Sequence, residues 1–177
     1  MAVNYFQLFG LTPAFKVDLA QLSATYQRLQ KTAHPDRFAH GSNQQQLLAV
    51  QTSALINDAY QTLKKPLRRA EYLLVERGTE LANEQSTFAD THFLMHQMEL
   101  REMLENIAEQ DDRDAALFAA RETLDCEYQK LFIELEQQLA SDTEQQNNLA
   151  GDTLRKLKFY QKLQHELDRI EEQLFEN

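Results

Sequence analysis

Three groups of residues could do chemistry by their type and spacing. The first is His34-Pro35-Asp36-Arg37. Proline fixes its own φ and pushes the residue before it out of the helical region, so the chain must turn here. The same proline stiffens the turn and holds the Asp36 carboxylate out at its tip, where it can form a charge-assisted bond with an arginine on a partner. A tight interhelical turn with no further role would contain the same residue types. The second group is His92 and His96, four apart and therefore on one helix side, with Glu99 one turn further on. Such spacing suits a metal. The run His92-Phe93-Leu94-Met95-His96 lacks the glutamate that follows the first histidine in zinc hydrolases, and no further ligand is evident, so no metal and no cofactor are expected. The third group is Leu94, Met95 and Met98 with Glu99 and Glu102, an apolar patch edged by carboxylates. His34 has no serine or cysteine nucleophile beside it, and no glycine-rich phosphate loop is present. Binding, not catalysis, is the chemistry these residues suggest.

The elements that position them are helices. The 177 residues include only 4 Gly and 3 Pro and no Trp, too few breakers for an all-β protein that turns every few residues. No apolar run approaches the roughly 20 residues that span a membrane. Residues 1–10 lack the basic start and apolar stretch of a secretory signal, so a cytoplasmic home is expected. Cys126 is the sole cysteine, which leaves no internal disulfide and no cysteine-held zinc or iron–sulfur cluster within one chain. The net charge of −10 is unevenly spread. Residues 1–78 carry 9 Lys/Arg against 5 Asp/Glu, a net +4, and residues 79–177 carry 9 against 23, a net −14. Two modules with different partners are implied, and the second would be repelled by nucleic-acid phosphate.

Residues 4–9 form a short apolar helical turn closed by Gly10. A helix from near Asp18 places Leu19, Leu22, Tyr26, Leu29 and Ala33 on one face and Arg28 and Lys31, exposed, on the other. It ends at His34. Arg37 to Asn43 is expected to be an irregular loop. A third helix, Gln44 to Leu63, turns Leu48, Leu55, Ala59 and Leu63 to one side. Pro66 opens a helix to Arg77, and Gly78 stops it. Beyond a connector, Asp90 caps a helix to about Glu109, with Phe93, Leu100, Leu104 and Ile107 as its core stripe. Leu94, Met98 and Met95 fall about 100°, 140° and 200° from Phe93, off that stripe, which makes their side a candidate binding surface. Asp111 or Asp112 opens a helix with Leu117, Leu124, Leu131 and Leu135 at near-heptad spacing. Asn147 to Asp152, with Gly151, is expected to be a turn. A last helix then carries Tyr160, Leu163, Leu167, Ile170 and Leu174. The fold class is all-α: an N-terminal helical hairpin and a C-terminal three-helix bundle.

The order of these features over residues 4–77 resembles a J-domain. The resemblance rests on a short helix, a basic amphipathic helix, the His34-Pro35-Asp36 tip, Ile56-Asn57-Asp58-Ala59-Tyr60-Gln61-Thr62-Leu63 and Pro66 to Tyr72. The run Phe93 to Glu102 and the run Thr153-Leu154-Arg155-Lys156-Leu157-Lys158-Phe159 extend the likeness to the whole chain, which resembles the HscB family, the J-proteins of iron–sulfur cluster assembly. Arg37 stands where J-domains often have lysine, and Asn106 where an acidic contact residue would be expected.

The resemblance implies a J-domain at 1–77, a connector at 78–89 and a scaffold-binding domain at 90–177. It implies docking on a DnaK-type chaperone, HscA, through His34, Pro35, Asp36, Arg37, Arg28 and Lys31. It also implies binding of the scaffold IscU through Leu94, Met95, Met98, Glu99, Glu102 and Phe159. Phe159 lies at the edge of its helix's apolar stripe and could equally be core. Such a protein would stimulate its partner's ATP hydrolysis and tether the scaffold to it, as a non-enzyme. The rival readings are a structural coiled-coil protein, which leaves the tip unexplained, and a histidine-based metal-binding protein.

Overall fold

A computed structural model describes residues 3–82 and 90–175. These residues form helices and turns with no strand. The chain divides into two compact units, Met1–Thr79 and Glu80–Asn177. The connector expected at 78–89 lies outside the described residues from 83 to 89.

The first unit opens with α1 (Tyr5–Leu8), whose first turn is capped by the Asn4 side chain accepting from the Gln7 N–H at 3.1 Å. Gly10 follows at φ +66°, a conformation open to glycine at little cost. The next helix, α2 (Leu19–Ala33), begins at Asp18, whose carboxylate accepts from the Ala20 and Gln21 N–H groups. The expected inner face of α2 shifts by one turn: Leu19, the first helical residue, stays 52% exposed and burial begins at Leu22.

Helix α3 (Asn43–Lys64) starts at Ser42, which forms a reciprocal capping box with Gln45. The expected irregular loop over Arg37–Asn43 is therefore shorter. Pro35–Phe38 is a 3-10 turn and Asn43 already belongs to α3. Leu48 is 62% exposed, not core; Ala49, Ile56, Ala59 and Leu63 are the buried stripe. Close packing of α2 on α3 selects the small Ala49 over its larger neighbour.

The helices α2 and α3 run antiparallel, held by polar contacts as well as apolar ones. Tyr26 Oη donates to Asn57 Oδ1 at 2.6 Å, Gln30 Nε2 donates to the same oxygen at 2.8 Å, and Ser53 Oγ donates to Gln30 Oε1 at 3.0 Å. Tyr26 and Tyr60 stack at 4.0 Å. Asp58 accepts from Tyr5 Oη at 2.6 Å, and this bond, first among its causes, pushes the phenol up to about 12. The segment Ile56–Tyr60 is thus the seam of the hairpin: Ile56 and Ala59 are buried, while Asn57, Asp58 and Tyr60 bind the two preceding helices.

Helix α4 (Pro66–Glu76) takes Pro66 into its first turn, where the missing N–H has no partner to lose. Arg69 on this helix is buried. Its Nε donates to Phe15 O at 2.6 Å and its Nη1 to Leu63 O at 2.5 Å, with the guanidinium 5.2 Å from the Phe15 ring centroid. One side chain therefore pins the loop before α2 and the end of α3 to α4. Replacing it by methionine keeps volume but leaves those carbonyls without a charged donor. Arg69→Met is expected to destabilise the first unit by about 2 kcal/mol, read from urea unfolding.

The second unit contains α5 (Thr91–Glu105), α6 (Arg113–Leu139) and α7 (Glu144–Phe175). Asp90 caps α5, accepting from the Phe93 N–H at 3.1 Å, and Asp112 caps α6, accepting from the Ala115 N–H at 2.9 Å. A 3-10 turn, Asn106–Glu109, completes the segment after α5. The core joins Phe93, Leu100, Leu104 and Ile107 to Leu117, Ala120, Leu124, Tyr160, Leu163 and Leu167.

The expected turn at Asn147–Asp152 is helix. The chain reverses instead before Glu144, where Thr143 Oγ1 accepts from the Gln146 N–H and Asn147 Nδ2 donates to Asp142 Oδ1 at 2.9 Å. Asn147, Ala150 and Gly151 face inward. A Cβ on Gly151 would lie 3.3 Å from Leu81 Cδ2, so its small size reflects close packing and not a break in the helix. The α6–α7 pair is antiparallel, with Arg121 bridging Asp168 at 3.0 Å and Glu171 at 2.6 Å.

Candidate functional site: a hairpin apex and an exposed helix face

The apex of the first unit is built by His34 and Pro35. His34 is extended, φ −60° and ψ 129°, as the residue before proline should be. Its Nδ1 accepts from the Asp36 N–H at 3.3 Å, so the histidine side chain caps the Pro35–Phe38 turn. In the neutral ring this places the proton on Nε2. The Asp36 carboxylate stands 3.5 Å from the same Nδ1, and its side chain is 90% exposed. Arg37 folds back, donating from Nη1 to Lys31 O at 3.2 Å. Arg28 and Lys31 are exposed on α2. His34, Pro35, Asp36, Arg37 and Lys31 are thus brought together at one end of the hairpin, with Arg28 on the exposed helix leading to it.

Two neighbours of this apex are not among the binding residues that the sequence suggests. Phe38 and Leu48 line a shallow groove of 270 Å³ together with Ala33 and Ala49. The spacing of Leu48 with Leu55, Ala59 and Leu63 turns it inward, whereas it is 62% exposed. The capping role of His34 needs backbone geometry that no residue pattern displays.

In the second unit, α5 carries the other group. Met95 and Met98 are 62% and 71% exposed; Leu94 is half-buried, and Glu99 and Glu102 are exposed. The core stripe of the same helix (Phe93, Leu100, Leu104) is almost fully buried, so the methionines do not belong to it. Phe159, on α7, is half-buried and packs against the core cluster. Its ring meets Phe93 edge-on at 5.8 Å, and the Arg101 guanidinium lies 5.8 Å from its centroid. Arg101 falls within about 20° of Leu94 around α5, so Phe159 borders the Leu94 side of the face while supporting the core.

On the other side of that face lies a polar cluster. His96 Nδ1 is 3.2 Å from Glu99 Oε2, and His96 Nε2 is 2.9 Å from Glu127 Oε2 on α6. Tyr160 Oη on α7 donates to the same Glu127 oxygen at 2.5 Å. The bond to Glu127 holds the imidazole above its ordinary value, against the opposing effect of burial and with help from Glu99. Burial pushes the Glu127 carboxyl up, but the bonds from Tyr160 and His96 outweigh it and the group sits below its usual range. Burial and then the Glu127 bond push the Tyr160 phenol up. His96 is engaged by two carboxylates, and among the described residues no cluster of three or more histidine, cysteine or acidic side chains could hold a metal ion.

A helical hairpin tipped by an outward carboxylate, in an all-α chain whose second unit presents an apolar face edged by acid groups, is the arrangement that the resemblance to J-domain co-chaperones implies. Comparison with known proteins narrows it. Residues 89–168 match the family model described as the HSCB C-terminal oligomerisation domain. The co-chaperone protein HscB homolog of Colwellia psychrerythraea is 57% identical over 175 residues, covering 99% of this chain and all of that one. The homolog from Aeromonas hydrophila is 49% identical over 175 residues with the same coverage. Among solved structures, chaperone HscB from Vibrio cholerae superposes with a TM-score of 0.90 at 48% identity, over 97% of this chain and 99% of that one. Human co-chaperone protein HscB gives 0.84 at 28% identity, over 94% and 81%. The chain belongs to the HscB family of co-chaperones.

Proposed function

We propose that the chain docks on a DnaK-type chaperone, HscA, through the His34-Pro35-Asp36 apex and the Arg28/Lys31 face of α2. It accelerates that partner's ATP hydrolysis and presents the iron–sulfur scaffold IscU on the α5 face. The observation that carries this reading is the Asp36 carboxylate, 90% exposed at an apex stiffened by Pro35 and capped by His34. A carboxylate so held loses little freedom on pairing with a partner arginine, which favours a charge-assisted bond. The cations beside it speed encounter with an acidic surface and fix its orientation. This chain performs no chemistry. It shifts a two-state element of the chaperone, through contacts that differ between the states.

The strongly acidic second unit, with adaptable methionines beside Glu99 and Glu102, suits a partner that offers apolar contacts and cations. Holding scaffold and chaperone on one chain raises the effective concentration of one at the other. No described helix is long and apolar enough to cross a membrane, and a bacterial cytoplasm is the setting we infer. Steady-state ATP hydrolysis by purified HscA tests the reading. The rate should rise with added chain and rise further when IscU is present; an unchanged rate in both conditions would overturn it.

A further inference from the structure

His96 meets a carboxylate at each ring nitrogen, Glu99 at 3.2 Å and Glu127 at 2.9 Å. An ionised carboxylate only accepts, and a neutral imidazole donates from one nitrogen while presenting a lone pair at the other. Both contacts are hydrogen bonds only when the ring is an imidazolium. The charged and titratable groups around it favour that state. Glu99 faces it from α5 and Glu127 from α6, with Lys130 acting on Glu127; Tyr160 faces Glu127 from α7. Burial opposes the positive charge, and His92 lies one turn back on the same side of α5.

When the ring gives up a proton, one bond must go. Glu127 is 28% exposed, keeps its bond from Tyr160 and makes the shorter contact. Glu99 is 71% exposed and makes the longer one. The Nδ1 proton therefore leaves, and Glu99 is released.

We propose that His96 is a positioning residue for the α5 face: as an imidazolium it holds and neutralises Glu99, and on deprotonation it yields a full carboxylate to a cation presented by the scaffold. This rests on reading that face as the scaffold-docking surface. A partner cation at Glu99 disfavours the imidazolium, so the complex carries fewer protons than the free chain. Binding then releases protons near neutral pH and tightens as pH rises.

Isothermal titration of the full chain with purified IscU, between about pH 6 and pH 8 and in two buffers of different ionisation enthalpy, tests this. The affinity of the wild type is expected to rise about fivefold across the range, with net proton release. Relative to that slope, His96→Gln should be flat at the tighter level and His96→Lys flat at the weaker one, with melting curves confirming that both fold. The same slope in His96→Gln as in the wild type would overturn the proposal while leaving the docking surface intact. Absence of binding at every pH would remove the docking reading itself, and the proposal with it. A readout free of the partner is the NMR titration of His96 in the isolated chain. Its midpoint should lie above 6.5, the ordinary histidine value, and the resonance of the Glu99 side-chain carbonyl should move over the same pH step; a Glu99 resonance indifferent to that step would contradict the clamp.

Discussion

Asp36→Asn is expected to abolish acceleration of the chaperone's ATP hydrolysis while leaving the fold unchanged. The carboxylate is 90% exposed, and asparagine preserves its shape, so stability should move by less than about 0.5 kcal/mol. The change removes the charge and would leave the arginine proposed on the partner desolvated without a counter-ion. Truncating one member of such an interfacial pair costs about 2–5 kcal/mol, which is roughly 30- to several-thousand-fold in the stimulated state. Single-turnover hydrolysis and a thermal melt, run on the same preparation, separate the two effects. Full stimulation by a folded Asp36→Asn protein would mean that the apex is only a turn.

The second large effect belongs to α5. Replacing Leu94, Met95 and Met98 together by alanine is expected to weaken scaffold binding by about a thousandfold, the equivalent of two central contacts of about 2 kcal/mol each. Met95 and Met98 are 62% and 71% exposed, and the buried stripe of Phe93, Leu100 and Leu104 is untouched, so the unit should remain folded. Chaperone stimulation without scaffold should survive. Unaltered affinity in a folded triple variant would move the docking surface elsewhere.

Much of this was legible in the residues because local rules and tertiary packing agree. Pro35 dictates a turn wherever it occurs, and Asp18, Asp90 and Asp112 cap helices by chemistry visible in one residue. The departures share a cause. Leu48 and Leu19 are large and apolar but exposed, while Ala49 and Gly151 are small and buried, because close helix packing selects by size as well as polarity. Gly151 therefore looked like a breaker in a helix that runs from Glu144 to Phe175. The Ser42/Gln45 capping box was present in the sequence as S-x-x-Q and would have placed the start of α3. The His96–Glu127–Tyr160 cluster joins three helices across 31 and 33 residues of chain, a separation that periodicity does not bridge.

In the proposed function, chaperone and scaffold are engaged by one and the same chain. Asp36→Asn protein retains the scaffold face, and the Leu94/Met95/Met98→Ala protein retains the apex, so an equimolar mixture supplies both activities on separate molecules. The direct measurement is ATP hydrolysis by HscA with IscU present, comparing wild type, each variant and the mixture. The mixture is expected to reach no more than the scaffold-independent rate of the triple variant. Recovery of the full wild-type rate by the mixture would contradict it.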